Sequence, residues 1–314
     1  MPKVGVIILT HNSGAYIEDC LKNVLNNEHS NIECIIVDNN STDQTIHIVK
    51  KKYPKLKLIN NKSNLGYGAG NNVGIRYLLK NNNISYILIL NPDTLVSPNL
   101  ISECVRVLIH ENTIGIVGPI ITYAQDPNKI WFAGGYLNRL FLYTKHRYMN
   151  KDLNYLKSQG VLASTPLRCT PIDTSVTDFI TGACMMVKKE VFKKIEFLPE
   201  EYFMYFEDVD FCQKAIKSGY TCQLLPKSLV KHYVSASTGH PGSNDLTPFR
   251  AYYYARNPFI YIRRNVIGIY KITNYFGQFF IRLPYYGLQM FLQRNLKAII
   301  AYLKGLRDGV IYKI

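Results

Sequence analysis

Over roughly its first 120 residues, the chain alternates short apolar runs with helical patterns. The apolar runs are residues 4–9, 34–37, 56–59, 86–90 and 114–117. Between them, apolar side chains recur at helical spacing, as at Ile17, Leu21 and Val24. Strands and helices that alternate in this way build a parallel sheet with crossover helices. The sequence therefore predicts a large α/β domain.

Polar side chains follow three of the predicted strands at the point where each strand ends. They are Thr10, His11 and Asn12 after the first strand, Asp38 after the second, and Asn91 and Asp93 after the fourth. Open α/β sheets bind ligands at the carboxyl ends of their strands, so these residues predict a nucleotide site. Asp38 could accept a hydrogen bond from a pyrimidine N3–H, or it could merely shape a turn. The residue pattern leaves both readings open.

Asp93, together with a downstream acidic cluster at residues 207–210, has the chemistry for transfer from a phosphorylated donor. Pro92 ends strand pairing and directs Asp93 out of the sheet, where it suits Mg²⁺ or Mn²⁺ held by a diphosphate.

Glu207, Asp208 and Asp210 begin a helix after the aromatic run 202–206. Acids in a first turn are common because the helix dipole favours them. Nearby aromatic rings would raise a carboxyl pKa toward the range of a general base. Positions 208 and 210 point to different sides of a helix, so we expect only one base.

Two further features have both a functional and a structural interpretation. The glycines of residues 66–70 have the spacing G-x-G-x-G, which is not the dinucleotide fingerprint. The helix start there could bind a phosphate, or the glycines could serve close helix packing. His232 follows a predicted strand at 221–225 and a predicted connector at 226–230, and it is a candidate ligand only if it lies near Asp93. Residues 123–175 have poor periodicity and are expected to be irregular.

The last 66 residues combine positive charge with aromatic side chains. From residue 249 onward the chain has eleven Lys or Arg and one acid, so +10 of the net charge of +15 lies there. The longest runs without charge, residues 272–281 and 283–293, are shorter than the ~20 residues that span a bilayer. A nucleic-acid-binding protein would also explain this composition. It would not explain the acidic strand ends, so no nucleic-acid partner is expected.

The cysteines and the N-terminus predict a cytoplasmic protein. The seven cysteines are scattered and odd in number, and no two have C-x-x-C spacing. Most lie in apolar segments, so we expect reduced core residues rather than disulfides. The first apolar run is too short for a signal peptide.

Taken together, these segments resemble glycosyltransferase family 2, and within it the rhamnosyltransferase-like branch. The matching stretches are residues 6–12, 35–43, 64–74, 88–93, 131–135, 181–183 and 205–210, followed by His232 and Arg256-Asn257. Their order and spacing extend over about residues 3–260. The resemblance implies the GT-A fold, a Rossmann-like mixed sheet flanked by helices. It also implies a dTDP- or UDP-sugar donor, Mg²⁺ or Mn²⁺, and inversion at the anomeric carbon.

The resemblance also implies a role for each matching residue. Asp208 would be the base, with Glu207 and Asp210 as the other candidates, and Asp93 and His232 would bind the metal and diphosphate. Acceptor contacts are expected from Trp131, Gly182 and Ala183. Nucleotide contacts are expected from Thr10, His11, Asn12, Asp38, Asn40, Gly66, Gly70, Asn71 and Asn91. Asn91 stands where other GT-A enzymes have the first acid of an Asp-x-Asp motif, so one carboxylate fewer is present.

These expectations divide the chain into a catalytic domain and an extension. Residues 1–122 would form the nucleotide-binding half, residues 123–248 the acceptor-binding half, and residues 249–314 a basic, aromatic helical extension. From Leu288 an apolar stripe is expected on one helix, formed by Phe291, Leu292, Leu296, Ile299, Ile300 and Leu303. Basic side chains beside it would hold the protein on the inner, anionic face of the membrane, near a polyprenyl-linked glycan acceptor. The alternatives are an extension that only packs on the domain and a non-catalytic binding protein of related fold.

Overall fold

The computed structural model describes residues 1–158, 176–234 and 246–313. The strands are β1 (Lys3–Thr10), β2 (Ile32–Asp38), β3 (Lys57–Asn60), β4 (Ile84–Leu90), β5 (Thr94–Val96), β6 (Ile114–Tyr123), β7 (Ile130–Phe132), β8 (Gly135–Asn138), β9 (Tyr143–His146), β10 (Val176–Thr177), β11 (Cys184–Lys188) and β12 (Thr221–His232). The α-helices are α1 (Ile17–Leu25), α2 (Thr45–Lys52), α3 (Tyr67–Leu79), α4 (Leu100–His110), α5 (Leu153–Ser158), α6 (Lys189–Ile195), α7 (Glu207–Lys217), α8 (Pro248–Asn265), α9 (Tyr270–Phe276), α10 (Leu283–Leu292) and α11 (Leu296–Ile311). A π-helical segment, Gly277–Arg282, joins α9 to α10.

One mixed sheet organises the domain. Its strand order is β10-β12-β6-β11-β4-β1-β2-β3, with β5 beside β12 and β7 beside β6. Strands β4, β1, β2 and β3 are parallel, as predicted. The antiparallel strand β11 lies between β4 and β6. β1 is buried along almost its whole length, which is why its sequence is a continuous apolar run rather than an alternating one. The expected α/β architecture with flanking helices is confirmed.

Two sequence-based expectations about regular structure are wrong. In the described part of residues 123–175, the chain forms β7, β8, β9 and α5 rather than irregular structure. Strands of three or four residues carry too little periodicity to be recognised. The predicted connector 226–230 lies inside β12, which pairs with β6 up to Leu225 and again from Leu229 onward. The register shifts between Leu225 and Leu229, where Pro226 cannot donate to the ladder.

The C-terminal helices pack against the domain and against one another. Ile260, Tyr261 and Ile262 of α8 belong to the main hydrophobic core. α11 packs closely on α8, because Gly305 and Gly309 have no Cβ. A Cβ at either position would collide with the α8 backbone. The predicted single helix from Leu288 is interrupted, because Arg294 has φ +53° and the Asn295 side chain caps a new helix. The apolar stripe is therefore divided between α10 and α11.

The cysteines that the structure describes agree with the sequence-based expectation. Six of them are free of disulfide bonds and buried, and Cys169 lies outside the described residues. They fill space in the core.

Gly66→Ala should lower the free energy of unfolding by about 3 kcal/mol, through backbone strain and overpacking. Gly66 has φ +83° and ψ −177°, a region essentially restricted to glycine. An added Cβ would lie 2.4 Å from the carbonyl oxygen of Phe203. Gly268→Ala is the matched control, because Gly268 has φ +61° but no described atom within 4 Å of an added Cβ. Urea unfolding measures both variants, and equal shifts would contradict the packing argument.

Candidate active site

The ends of β1 and β2 hold Asp38 in a fixed orientation. Thr10 and Asp38 are register partners, and Thr10 Oγ1 donates to Asp38 Oδ1 at 2.8 Å. Ser41 donates twice, from Oγ to Oδ1 at 2.6 Å and from its N–H to Oδ2 at 2.8 Å. A carboxylate accepts about four hydrogen bonds, so these three leave room for one donor at Oδ2. The buried Asp38 is therefore an oriented acceptor at the carboxyl edge of the sheet.

His11, Asn12 and Asn40 shape the two loops that surround Asp38. His11 Nδ1 lies 2.9 Å from the carbonyl oxygen of Asn39, and Asn12 Oδ1 accepts from the Thr42 N–H at 2.8 Å. Asn12 and Asn40 have φ of +52° and +63°, a conformation that asparagine tolerates better than most residues. The structure thus explains these residue types by loop geometry, and their nucleotide contacts stay a prediction.

Close packing accounts for the glycines at the start of α3. A Cβ on Gly70 would lie 2.7 Å from Leu9 Cδ1 and 2.8 Å from Asn39 Nδ2. The buried Asn39, which sequence reasoning missed, donates to the carbonyl oxygen of Gly66 at 2.9 Å. The buried Asn71 donates to the carbonyl oxygen of Tyr67 at 3.0 Å. The first N–H of the helix, that of Tyr67, is already bound to the carbonyl oxygen of Phe203, which leaves fewer donors for a phosphate.

Asp93 and His232 lie together, although 139 residues separate them along the chain. β5 pairs with β12 in a register that sets Thr94 opposite His232. His232 Nε2 is 3.1 Å from Asp93 Oδ1, and both side chains are buried. His232 therefore lies near Asp93, as a candidate metal ligand must.

Asp93 and His232 fit part of the ligand set of a divalent cation. The 3.1 Å between His232 Nε2 and Asp93 Oδ1 is a hydrogen-bond distance. It also equals the separation of about 3 Å between two adjacent ligands that each lie about 2.1 Å from one ion. His232 Nδ1 is buried and has no hydrogen-bond partner among the described residues. In residues 1–158, 176–234 and 246–313, no group of three His, Cys, Asp or Glu could hold a metal. Mg²⁺ is often bound by one or two carboxylates together with substrate phosphates, so this pair suits a cation that arrives with a diphosphate.

The aromatic side chain of Trp131 packs against His232. The Trp131 ring lies edge-on to His232 and to His146, with centroids 4.6 and 4.7 Å away. Burial, and to a smaller extent the nearby His232, lowers the pKa of His146 to about 4, so its ring is neutral at physiological pH. Sequence reasoning missed His146 because it lies on β9, in the segment expected to be irregular. In this structure Trp131 positions His232, and its acceptor contact stays a prediction.

Asp208 and Glu207 begin α7 next to the turn formed by residues 181–183. Gly182 N–H donates to Asp208 Oδ2 at 3.0 Å, and the Tyr67 hydroxyl donates to the carbonyl oxygen of Gly182. Burial raises the pKa of Asp208, while the N–H groups of Gly182 and Val209 oppose the rise. The more deeply buried Glu207 has its pKa raised well above the usual range by burial and by the Asp208 charge. Asp208 therefore ionises first and is the better candidate for a base.

Asp208 is connected to the pair Asp93 and His232 through the turn formed by residues 181–183. The Asn91 N–H donates to the carbonyl oxygen of Ala183 at 3.0 Å, two residues before Asp93. The adjacent residue, Gly182, donates to Asp208. A carboxylate suited to proton abstraction and a carboxylate suited to a cation therefore lie at one edge of the sheet.

Asp210, the third predicted acid, faces a different part of the molecule. Its carboxylate accepts from the Tyr202 hydroxyl at 2.8 Å, Asn265 Nδ2 at 2.9 Å and Arg264 Nε at 3.2 Å. The residue is buried. These three donors join α7 to the end of α8, so the structure gives Asp210 a structural role and does not place it with Asp208.

The loop of residues 201–206, which precedes Glu207, is held by α8. Asn257 Nδ2 donates to the carbonyl oxygens of Tyr202, Met204 and Tyr205 at 3.2, 2.7 and 2.8 Å. Arg256 Nη2 donates to the carbonyl oxygens of Glu201 and Tyr202. The resemblance named Arg256-Asn257 without a role, and the sequence carries no signal for one, because α8 has polar residues at several other positions.

The chain is similar in sequence to known glycosyltransferases. The family model described as glycosyl transferase family 2 matches residues 5–196. The N-acetylglucosaminyl-diphospho-decaprenol L-rhamnosyltransferase of Mycobacterium tuberculosis is 24% identical over 249 residues, which are 77% of this chain and 79% of that protein. The dTDP-rhamnosyl transferase RfbF of Shigella flexneri is 24% identical over 238 residues, which are 75% of this chain and 72% of that protein.

A solved structure supports the fold independently. The mannosyltransferase PcManGT of Pyrobaculum calidifontis, solved with GDP-Man and Mn²⁺, superposes with a TM-score of 0.60 at 16% sequence identity. The match covers 100% of this chain and 88% of that protein. The predicted GT-A fold is confirmed. With a family model that matches most of the domain and with rhamnosyltransferases among its relatives, the chain belongs to glycosyl transferase family 2.

Proposed function

We propose that this glycosyltransferase moves a hexose, with L-rhamnose as the first candidate, from a dTDP- or UDP-linked donor to a hydroxyl of a glycan, with inversion. The observation that carries the proposal is the hydrogen-bonded connection between Asp208 and the end of β4 through Gly182 and Ala183. It sets a base beside the site suited to a diphosphate. The names of the mycobacterial and Shigella relatives support rhamnose, and the latter supports dTDP.

The proposed mechanism assigns one step to each group. Asp38 accepts from the base of the donor and fixes its orientation. Asp93 and His232 would hold Mg²⁺ or Mn²⁺, which when bound offsets charge on the leaving diphosphate. Asp208, ionised and oriented by the Gly182 N–H, removes the proton from the acceptor hydroxyl. The hydroxyl oxygen attacks the anomeric carbon as its bond to the diphosphate oxygen breaks, and this single displacement inverts the configuration.

Pyrimidine diphosphates should bind through Asp38 and with a divalent cation. We expect dTDP or UDP to raise the melting temperature more than GDP, because Asp38 offers one remaining acceptor to a pyrimidine N3–H. Asp38→Ala and Asp93→Ala should each reduce that shift, and EDTA should reduce it for the wild type. Asp43→Asn is the control, since Asp43 caps the α2 turn by accepting from Thr45 and Gly14. Better protection by GDP would reject the pyrimidine assignment.

Asp208→Asn should retain donor binding and lower kcat by about 10²- to 10⁴-fold, the usual contribution of a general base. Asp210→Asn is the matched control: it should keep a near-normal kcat but lower the free energy of unfolding, because a buried carboxylate that accepts from Tyr202, Arg264 and Asn265 loses its charge. Single-turnover kinetics with a radiolabelled donor would measure the first effect and urea unfolding the second. If Asp208→Asn turns over normally, Asp208 is not the base, and Glu207 becomes the candidate.

The pH profile of transfer should show the raised pKa of Asp208. Because burial raises this pKa, the carboxyl keeps its proton to a higher pH than an ordinary aspartate does. The rate should therefore fall with decreasing pH before exposed aspartates become protonated. The measurement is kcat/KM against pH, at saturating metal. An acid limb at or below the ordinary aspartate pKa would contradict this assignment.

We further propose that the protein binds the cytoplasmic face of the membrane peripherally and acts on a polyprenyl-linked acceptor. Seventeen of the 27 exposed large hydrophobic side chains among the described residues lie from Ile267 onward. Phe291 and Leu292 are 71% and 72% exposed, far more than a packing role requires. No helix among the described residues is long and apolar enough to cross a bilayer. Each nearby Lys or Arg adds about 1 kcal/mol of attraction to an anionic leaflet.

Point variants on α10 should separate membrane binding from folding. Phe291→Asp with Leu292→Asp should weaken co-sedimentation with anionic vesicles by about tenfold or more, since two apolar side chains leave the interface and two like charges enter it. Ile109→Asp on α4 is the matched control, at 51% exposure. Binding of the wild type should fall with added salt. A wild-type protein that stays in the supernatant at low salt would leave the extension as a packing element only.

A further inference from the structure

Three aromatic rings form a cluster at the 201–206 loop, which leads into Glu207 and Asp208 of α7. Phe203 comes from that loop, and Phe249 and Tyr253 lie one turn apart on α8. The Phe203 and Tyr253 rings are nearly parallel, at 11°, with centroids 5.4 Å apart. Phe249 is 4.9 Å from Tyr253 and 6.3 Å from Phe203 between centroids. Phe249 is 39% exposed and the other two are half-buried. We call these three residues the aromatic platform.

The platform is held rigidly. Phe203 has φ +63°, a strained conformation that persists only where the surroundings enforce it. The Tyr67 N–H binds the carbonyl oxygen of Phe203, and the absence of a Cβ on Gly66 leaves room for the Phe203 backbone and ring. The Arg256 guanidinium lies 5.0 Å from the centroid of the Tyr253 ring. Strain of this kind clusters at functional sites, and the proposed mechanism does not use these rings.

One tyrosine connects the platform to Asp208. The N–H of Tyr67 binds Phe203, and its hydroxyl donates to the carbonyl oxygen of Gly182. The N–H of Gly182 in turn donates to Asp208. The platform and the base therefore lie at the two ends of Tyr67.

We propose that the aromatic platform is a subsite for a sugar ring of the acceptor glycan. This inference rests on the proposed transferase function. A pyranose presents a face of C–H groups, and the electron-rich face of an aromatic ring attracts such slightly positive hydrogens. Rigid aromatic side chains also give contact area at a low cost in conformational entropy.

The platform differs in character from the surface proposed to meet lipid. The exposed residues of α10 and α11 include many aliphatic side chains, among them Leu288, Leu292, Leu296, Ile300 and Leu303. Acyl chains need no flat, fixed surface. The platform is entirely aromatic and is built around a strained loop. Phe203 and Tyr253 stack on each other and support the exposed ring of Phe249, which favours a ligand with a flat apolar face and a defined orientation.

Saturation-transfer NMR with methyl glycosides of N-acetylglucosamine, glucose, galactose, mannose and rhamnose tests the proposal. At least one glycoside should bind the wild type, and Phe249→Ala should weaken that binding by about tenfold through loss of a stacking face. Phe249→Tyr, which keeps the ring, should restore it. Phe291→Ala is the matched control, because Phe291 is an exposed aromatic residue on α10. Thermal protection by dTDP or UDP should not change in any of these variants.

Each opposing result has a definite meaning. The subsite is rejected if no glycoside binds the wild type, or if Phe249→Ala binds as the wild type does. It is also rejected if Phe249→Ala impairs only nucleotide or vesicle binding, which would assign the rings to the donor or to lipid. Asp208→Asn should still bind the glycoside. Glycoside binding without any transfer would reject the proposed function but not the subsite, whereas transfer with an unchanged acceptor KM in Phe249→Ala would reject only the subsite.

Discussion

The hydrogen bonds from Asn257 to the 201–206 loop are the interaction on which the positions of Glu207 and Asp208 depend. Three residues of that loop, Phe203, Tyr205 and Phe206, have φ of +63°, +68° and +78°. Non-glycine residues in such conformations cost about 1–3 kcal/mol each. One buried side-chain amide binds three carbonyl oxygens of the loop and so offsets part of that cost. Because the loop leads directly into Glu207 and Asp208, a helix of the C-terminal extension determines where the acids lie.

The three neighbouring acids differ because their surroundings differ. Asp210 is buried but satisfied by three donors, one of them the cationic Arg264. Asp208 is half-buried and has backbone N–H groups on both oxygens. Glu207 is buried with one oxygen unpartnered among the described residues, so it favours the protonated form. A single short sequence thus supplies a structural ion pair, a candidate base and a carboxyl group whose pKa is raised by burial and by the Asp208 charge.

The C-terminal helices combine two surfaces of different physical character. On α8, the Tyr253 ring and the Asn257 side chain contact the 201–206 loop and hold it in place. On α9, α10 and α11, large apolar side chains are exposed, which soluble proteins rarely show over a large contiguous area. α11 is fixed to α8 by close contacts at Gly305 and Gly309. If the exposed side chains of α9, α10 and α11 bind a membrane, the candidate site would therefore keep a fixed orientation relative to that membrane.

The sequence by itself determined the parallel core strands, the acids at their ends and the family resemblance, because burial on both faces leaves continuous apolar runs that end abruptly. Only the tertiary structure brought His232 to Asp93 and separated Asp210 from Asp208. It also joined Gly182 to Asp208 and explained Gly66 and Gly70 by close packing. Those facts depend on strand register and on contacts between residues 26 to 139 positions apart. Local periodicity records whether a residue is buried, but not which distant residue it meets, because pairing is decided by the free energy of the whole packed sheet.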